Sequence, residues 1–234
     1  MPYPVAAAIV VMAKEPVPGR VKTRLCPPCS PTQAATLAEA ALADTLHAAL
    51  ATGAGRVVLA LEGRPGRWCP PGVEVVGQGD GPLDRRLTTA WAAATSGPAV
   101  LIGMDTPQVT AAELHAAIGA LADHDAVLGP ATDGGWWALG LRRPHPRAFA
   151  GVPMSRPDTG ARQHQRLMAL GLRTGRLPRH TDVDTWDDAV AVARSTPGGR
   201  FAATVEDLTP RVRTRAAARL GPAANAPASD GGAR

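Results

Sequence analysis

Lysine is almost missing from this 234-residue chain. Of its 25 basic residues only Lys14 and Lys22 are lysine, and the rest are arginine. The two side chains do not exchange freely at a phosphate, because one is a compact point charge and the other a planar fork. Both lysines fall in one short segment, which makes it the first place to look for chemistry. Aromatic residues are also scarce, at 3%, so the core must be built mainly from Ala, Val and Leu. No apolar run reaches the roughly 18–20 residues that a helix needs to cross a bilayer, which excludes a helical membrane span. The stretch from Val5 to Met12 is apolar, yet no basic residue precedes it and a charged loop follows. It reads as a buried strand rather than a signal peptide, and a cytoplasmic protein is expected. Cysteine is limited to Cys26, Cys29 and Cys69. Cys26-Pro27-Pro28-Cys29 has redox or metal spacing, but no second pair completes a zinc site. A thioredoxin-type motif would follow a strand directly at a helix start, whereas a long loop intervenes here. These are read as ordinary loop cysteines.

The residues that are present describe a globular protein: 45% are hydrophobic and 19% charged, which excludes wholesale disorder. The net charge of +5 owes much to Arg211, Arg213, Arg215 and Arg219 near the C-terminus. No aromatic residues interleave with them, which argues against a nucleic-acid partner.

Strand-like and helix-like segments alternate. Pro4–Met12 reads as a first strand, followed by a loop to about Cys29. Ser30, Pro31 and Gln33 form a capping box that opens a helix to about Leu50, stopped by Gly53 and Gly55. Strands follow over Arg56–Leu61 and Val73–Val76, then a helix over about Asp84–Thr95 and a strand over Ala99–Gly103. Thr110 and Glu113 form a second capping box for a helix ending near Asp123. Strands at Ala126–Gly129 and Trp136–Leu141 precede a helix over about Thr159–Leu170, a short strand near Leu172–Leu177 and a helix over Trp186–Ser195. This alternation predicts an α/β fold, a mostly parallel central sheet flanked by helices. The organisation expected is one α/β domain over residues 1–200, a helical extension over 201–220 and a disordered tail over 221–234. Ligands in such sheets bind beyond the carboxyl ends of the strands.

Five loops could carry chemistry. The first packs Lys14, Arg20, Lys22 and Arg24 around a bend at Gly19, a concentration of cations suited to a di- or triphosphate. It is not a Walker loop, because the closing Gly-Lys-Ser/Thr is absent. In the second, Gly77-Gln78-Gly79-Asp80-Gly81-Pro82, a dinucleotide fingerprint fails at Pro82, leaving a tight turn either near a ligand or of no further meaning. In the third, Gly103-Met104-Asp105-Thr106-Pro107, a carboxylate ends a buried strand, where a divalent cation is its natural partner beside phosphates. Capping of the next turn is the alternative. In the fourth, Asp133-Gly134-Gly135 sets a carboxylate on a backbone that a ligand can approach closely, or else makes a hairpin turn. In the fifth, Asp182 and Asp184 flank Val183 and point the same way on extended chain, as metal ligands or as helix caps.

Ala13-Lys14-Glu15-Pro16-Val17-Pro18-Gly19-Arg20-Val21-Lys22-Thr23-Arg24-Leu25 resembles the opening motif of a bacterial family of glycosyltransferase-A-like proteins. Gln78-Gly79, Leu83 and Arg86-Leu87 resemble its next block. Gly103–Pro107, Gly129–Gly135 and Asp182–Thr185 are similar to its later ones. That family is related to 2-phospholactate guanylyltransferase and the molybdenum-cofactor guanylyltransferase, and the resemblance spans residues 5–195. Three positions depart from the pattern: Met104 stands for a small residue, Trp136-Trp137 for two tyrosines, and Met154-Ser155-Arg156-Pro157 for a Trp-Ser-Thr.

The resemblance implies a nucleotide-diphosphosugar transferase (glycosyltransferase-A) fold and a Mg2+ or Mn2+ cofactor. Lys14, Gly19, Arg20, Lys22, Arg24, Gln78 and Gly79 would bind the nucleotide and its phosphates. Asp105 and Asp184 would bind the metal, and Lys22 and Asp133 would be catalytic. The first expectation is a metal-dependent glycosyltransferase using a nucleotide sugar. The alternative is a nucleotidyltransferase that uses a nucleoside triphosphate and releases pyrophosphate. A third is a catalytically silent nucleotide-binding protein. The acceptor and the oligomeric state are left open.

Overall fold

The computed structural model describes residues 7–94 and 97–220. The expected tail over 221–234 and the first residues of the expected opening strand lie outside them. Seven strands form one sheet: β1 (Ala8–Lys14), β2 (Arg56–Glu62), β3 (Glu74–Gly77), β4 (Ala99–Gly103), β5 (Ala126–Pro130), β6 (Trp136–Leu141) and β7 (Thr174–Arg176). Six helices accompany them: α1 (Pro31–Ala51), α2 (Leu83–Ala94), α3 (Ala111–Ala120), α4 (Thr159–Ala169), α5 (Trp186–Ser195) and α6 (Arg200–Leu220). Among the described residues, no helix is long and apolar enough to cross a membrane.

The strand order is β3-β2-β1-β4-β6-β5-β7. All pairings are parallel except those of β6 with β4 and β5. The expected mostly parallel sheet is therefore present, with β5 and β6 inserted as a hairpin. Side chains alternate across β1: Ile9 and Val11 enter one core cluster with Leu42, Leu46 and Leu114, while Val10 enters the other with Leu87, Trp91 and Leu167. Helices thus cover both faces, as a sheet of nearly continuous apolar strands requires. Both expected capping boxes form, at Ser30/Gln33 and at Thr110/Glu113.

Several local expectations shift: β3 is Glu74–Gly77 rather than Val73–Val76, and β7 shortens to Thr174–Arg176. β1 runs two residues further than Met12, because its one-to-one pairing with β2 carries on to Lys14 opposite Glu62. The loop that follows is not wholly irregular: Thr23–Leu25 makes a turn of 3-10 helix, anchored by the fully buried Leu25. The helical extension joins the body through a third cluster, in which Phe201, Val205 and Leu208 of α6 pack with Leu37 and Ala41 of α1 and Val192 of α5. Asp44 of α1 caps it across the chain, accepting from the amides of Arg200 at 3.0 Å and Phe201 at 2.8 Å.

Candidate functional site

The carboxyl ends of β1 and β4, with the β5–β6 connection, open onto a cavity of about 750 Å³. Its walls include the basic loop after β1, Asp105 after β4, Asp133 in the β5–β6 connection, and Asp182 and Asp184 before α5. The tertiary structure therefore gathers the first, third, fourth and fifth candidate loops at one place, and the second reaches it through Gln78.

Lys22 sits at the centre. Leu25 and Val183 share a buried cluster with α1, which draws the basic loop against the Asp182–Asp184 segment. Val183 is buried and the acids on either side face the cavity, as extended backbone requires. The amide of Val183 donates to the Asp105 carbonyl at 2.8 Å, which joins this segment to the end of β4. Between them lies the Lys22 ammonium, 2.5 Å from Oδ1 of Asp105 and 3.8 Å from Oδ1 of Asp184. It also donates to the Val183 carbonyl. Arg24 holds the other oxygen of Asp184 at 2.9 Å. Lys22 has φ +48°, left-handed backbone that a side chain rarely adopts and that marks a local cost of order 1 kcal/mol.

Asp182, a candidate of the fifth loop that the resemblance did not assign to the metal, is the most perturbed carboxyl of the cavity. Burial, with the charges of Asp105, Asp133 and Asp184 around it and Lys22 opposing, pushes it up to about 7. The cluster thus holds more negative charge than Lys22 offsets. Its all-oxygen donors suit Mg2+ or Mn2+. As the side chains stand, though, no three His, Cys, Asp or Glu among the described residues converge to hold a metal. Lys22 occupies the space between the two expected ligands. Neither Asp182 nor Asp184 caps α5; that role falls to Thr185 with Asp188.

The other cations differ in their surroundings. Lys14 is 3.5 Å from Glu62, which also pairs with Arg86 at 2.5 Å. Burial raises Glu62, but Arg86 and Lys14 outweigh it and the carboxyl ends below its ordinary value. Gln78 is buried and its amide is fully engaged. It donates to the carbonyls of Ala13 at 2.7 Å and Ala60 at 2.8 Å, and accepts from Arg86. Though it lines the cavity, it braces β1 to β2. Arg20 lines the cavity and makes no ion pair among the described residues. Gly19 and Gly79 lie outside the cavity wall; positive φ at each shapes the bends before Lys22 and α2.

The Asp133-Gly134-Gly135 segment is a hairpin connection whose carboxylate also faces the cavity. Asp133 Oδ1 accepts from the Gly135 amide at 2.8 Å, which stiffens the turn. The chain itself makes a close backbone approach here. A Cβ on Gly134 would lie 1.9 Å from the Pro157 carbonyl oxygen, and one on Gly160 2.4 Å from that of Gly135. This contact seats residues 154–159 as the wall opposite the basic loop. Sequence reasoning missed that wall, since only the departures at Met154–Pro157 marked it. Cys26, Cys29 and Cys69 are free thiols; burial raises all three, Cys29 to about 11.

Comparison with known proteins follows the same lines. A family model described as an uncharacterized protein conserved in bacteria (DUF2064) matches residues 36–156. A 3-phospho-D-glycerate guanylyltransferase from Phenylobacterium zucineum (strain HLK1) is 33% identical over 215 residues, which cover 83% of this chain and 94% of that protein. A structure from Desulfovibrio desulfuricans G20, described as a nucleotide-diphospho-sugar transferase, superposes with a TM-score of 0.79 at 24% identity, covering 89% of this chain and 97% of the other. Rv0371c from Mycobacterium tuberculosis H37Rv gives 0.51 at 23% identity, covering 78% and 95%. The nucleotide-diphospho-sugar transferase type of fold expected from the motifs is therefore present.

Proposed function

The chain belongs to the DUF2064 family, and within it we propose a nucleotidyltransferase that moves the nucleoside monophosphate of a triphosphate, in the first place GTP, onto a small phosphorylated acid. The observation that carries this reading is the near full-length similarity to a guanylyltransferase, joined to a cavity whose basic loop is built around the chain's two lysines. The comparisons favour this alternative over glycosyl transfer, the first expectation from sequence. A cytoplasmic setting, where free triphosphates are at hand, goes with it.

In this reading Lys14, Arg20, Lys22 and Arg24 hold the triphosphate. A phosphate oxygen of the acceptor attacks the α-phosphorus. The bond from that phosphorus to the bridging oxygen of the β-phosphate breaks, and pyrophosphate leaves. The chemistry needs little beyond alignment and offsetting of charge on the departing group, which fixed cations supply. Asp105 and Asp184, with Asp182, would hold Mg2+ or Mn2+, which when bound supplies further neutralisation of the phosphates. Asp133 faces the transferred group or the acceptor, and residues 154–159 form the acceptor side.

The test is pyrophosphate release by the full chain with Mg2+, each of GTP, CTP, UTP and ATP, and 3-phosphoglycerate or another small phosphorylated acid. Release with one triphosphate, lost in Asp105→Ala, is expected. Consumption of a nucleotide sugar instead would restore glycosyl transfer. Binding of nucleotide with no turnover of any would leave a silent binding protein.

A further inference from the structure

We propose that Lys22 is the internal counter-ion of the acidic cluster, and that a divalent cation and a nucleoside triphosphate bind cooperatively by exchanging it. The Lys22 ammonium leaves Asp105 and Asp184 for phosphate oxygens as the cation takes the carboxylates. This rests on the triphosphate reading above.

Three observations carry it. The Lys22 side chain is only 8% exposed, whereas the Asp105 and Asp184 side chains it joins are 47% and 38% exposed. The ammonium therefore lies beneath carboxylates that open to the cavity. The Val183–Asp105 main-chain bond keeps the backbones that carry the two acids together, so both carboxylates address one place. Both oxygens of Asp184 already face cations, Lys22 on one and Arg24 on the other. A dication entering here meets an ammonium at the same oxygen, and like charges at that distance repel strongly in a part-buried site.

The left-handed backbone at Lys22 fits an exchange. The residue whose ammonium meets Asp105 and the Val183 carbonyl has costly left-handed backbone, and a rearrangement of the loop would relieve that cost. A triphosphate offers the ammonium equivalent oxygens, and its arrival uncovers the carboxylates. By linkage the two ligands must then strengthen each other by one and the same factor.

The experiment measures Mn2+ binding by calorimetry, alone and with the α,β-methylene analogue of GTP, for the wild type, Lys22→Met and Arg20→Met. Arg20→Met removes the same charge from the same cavity without touching an acid. Alone, Mn2+ is expected to bind Lys22→Met about tenfold tighter than wild type, the usual scale of coupling between two ligands. It should bind Arg20→Met within about twofold of wild type, since an unpaired exposed charge acts through screened solvent. In the wild type the analogue should tighten Mn2+ about tenfold, and in Lys22→Met that factor should fall to what the direct attraction of cation and phosphates leaves. Equal or weaker Mn2+ binding by Lys22→Met, or an equal gain in Arg20→Met, overturns the exchange. Circular dichroism and melting confirm the fold, with Lys22→Gln as the second variant should Lys22→Met not fold. Tighter Mn2+ binding in Lys22→Met with no analogue binding to any form would support the counter-ion while sinking the triphosphate reading.

Discussion

The amide of Gly160 donates to the carbonyl of Gly134 across 2.8 Å, fastening the first turn of α4 to the β5–β6 hairpin. One side of that joint carries Asp133, and the other carries Met154–Thr159. Two walls of the cavity are thus held in one geometry by backbone alone. The joint exists only because neither residue has a Cβ.

Gly134→Ala tests this directly. Gly134 has φ +89°, and the added carbon would lie 1.9 Å from the Pro157 carbonyl oxygen, so backbone rather than a side chain must yield. The expected cost is about 3 kcal/mol of stability, from strain and overpacking together. Denaturant unfolding measures it. In any folded fraction the acceptor's KM should rise more than the triphosphate's, because the wall that moves is the one opposite the basic loop.

The Asp182 carboxyl makes stability fall with rising pH. Its folded pKa of about 7 lies above the ordinary 3.8, so the folded state holds a proton that the unfolded state has released. That contribution is complete below pH 3.8 and is lost as pH rises through about 7. The loss amounts to at most about 4 kcal/mol, at 1.36 kcal/mol for each pH unit of displacement. Asp182→Asn should flatten this part of the stability profile between pH 5 and pH 8. A profile in the variant as steep as in the wild type would count against the assignment.

Gln78→Leu removes the brace between β1 and β2. Two carbonyls, of Ala13 and Ala60, lose their amide partner, and Arg86 loses an acceptor. Buried polar groups left without partners cost about 1–3 kcal/mol each, so a loss near 3 kcal/mol is expected by chemical denaturation. The Ala13 carbonyl immediately precedes Lys14 at the end of β1, so triphosphate affinity should fall with stability. Unchanged stability would show that water replaces the amide.

Cys29 should react slowly with a thiol reagent. Burial, with the neighbouring Cys26, moves its thiol up to about 11, so little thiolate exists at neutral pH. Cys26, half-buried, is expected to be modified first and Cys29 only after unfolding, as mass spectrometry of quenched samples would register. Fast joint modification would contradict the reading of both as structural residues.

Much of this fold was legible in the chain. Ser30/Gln33 and Thr110/Glu113 announce their helices because a capping box satisfies orphan amides within four residues of sequence. The strands at Ala99–Gly103 and Trp136–Leu141 stand where apolar runs between turn residues put them. The boundaries that moved, at Lys14 and around Thr174–Arg176, were decided by how far a partner strand extends.

The candidate site divides in the same way. Sequence alone determined its ingredients: both lysines in one loop, single acids at strand ends, and acids alternating with Val183. Those follow from local chemistry and backbone periodicity. Only the tertiary structure decided their pairing. Lys22 meets Asp105 and Asp184 because Leu25 and Val183 are buried in one cluster with α1. Asp182 is perturbed because three other carboxylates and burial converge on it. The Asp133 glycines serve α4 because that helix returns over the hairpin. Each of these depends on contacts between distant segments, and no local spacing encodes which buried side chain will lie beside which.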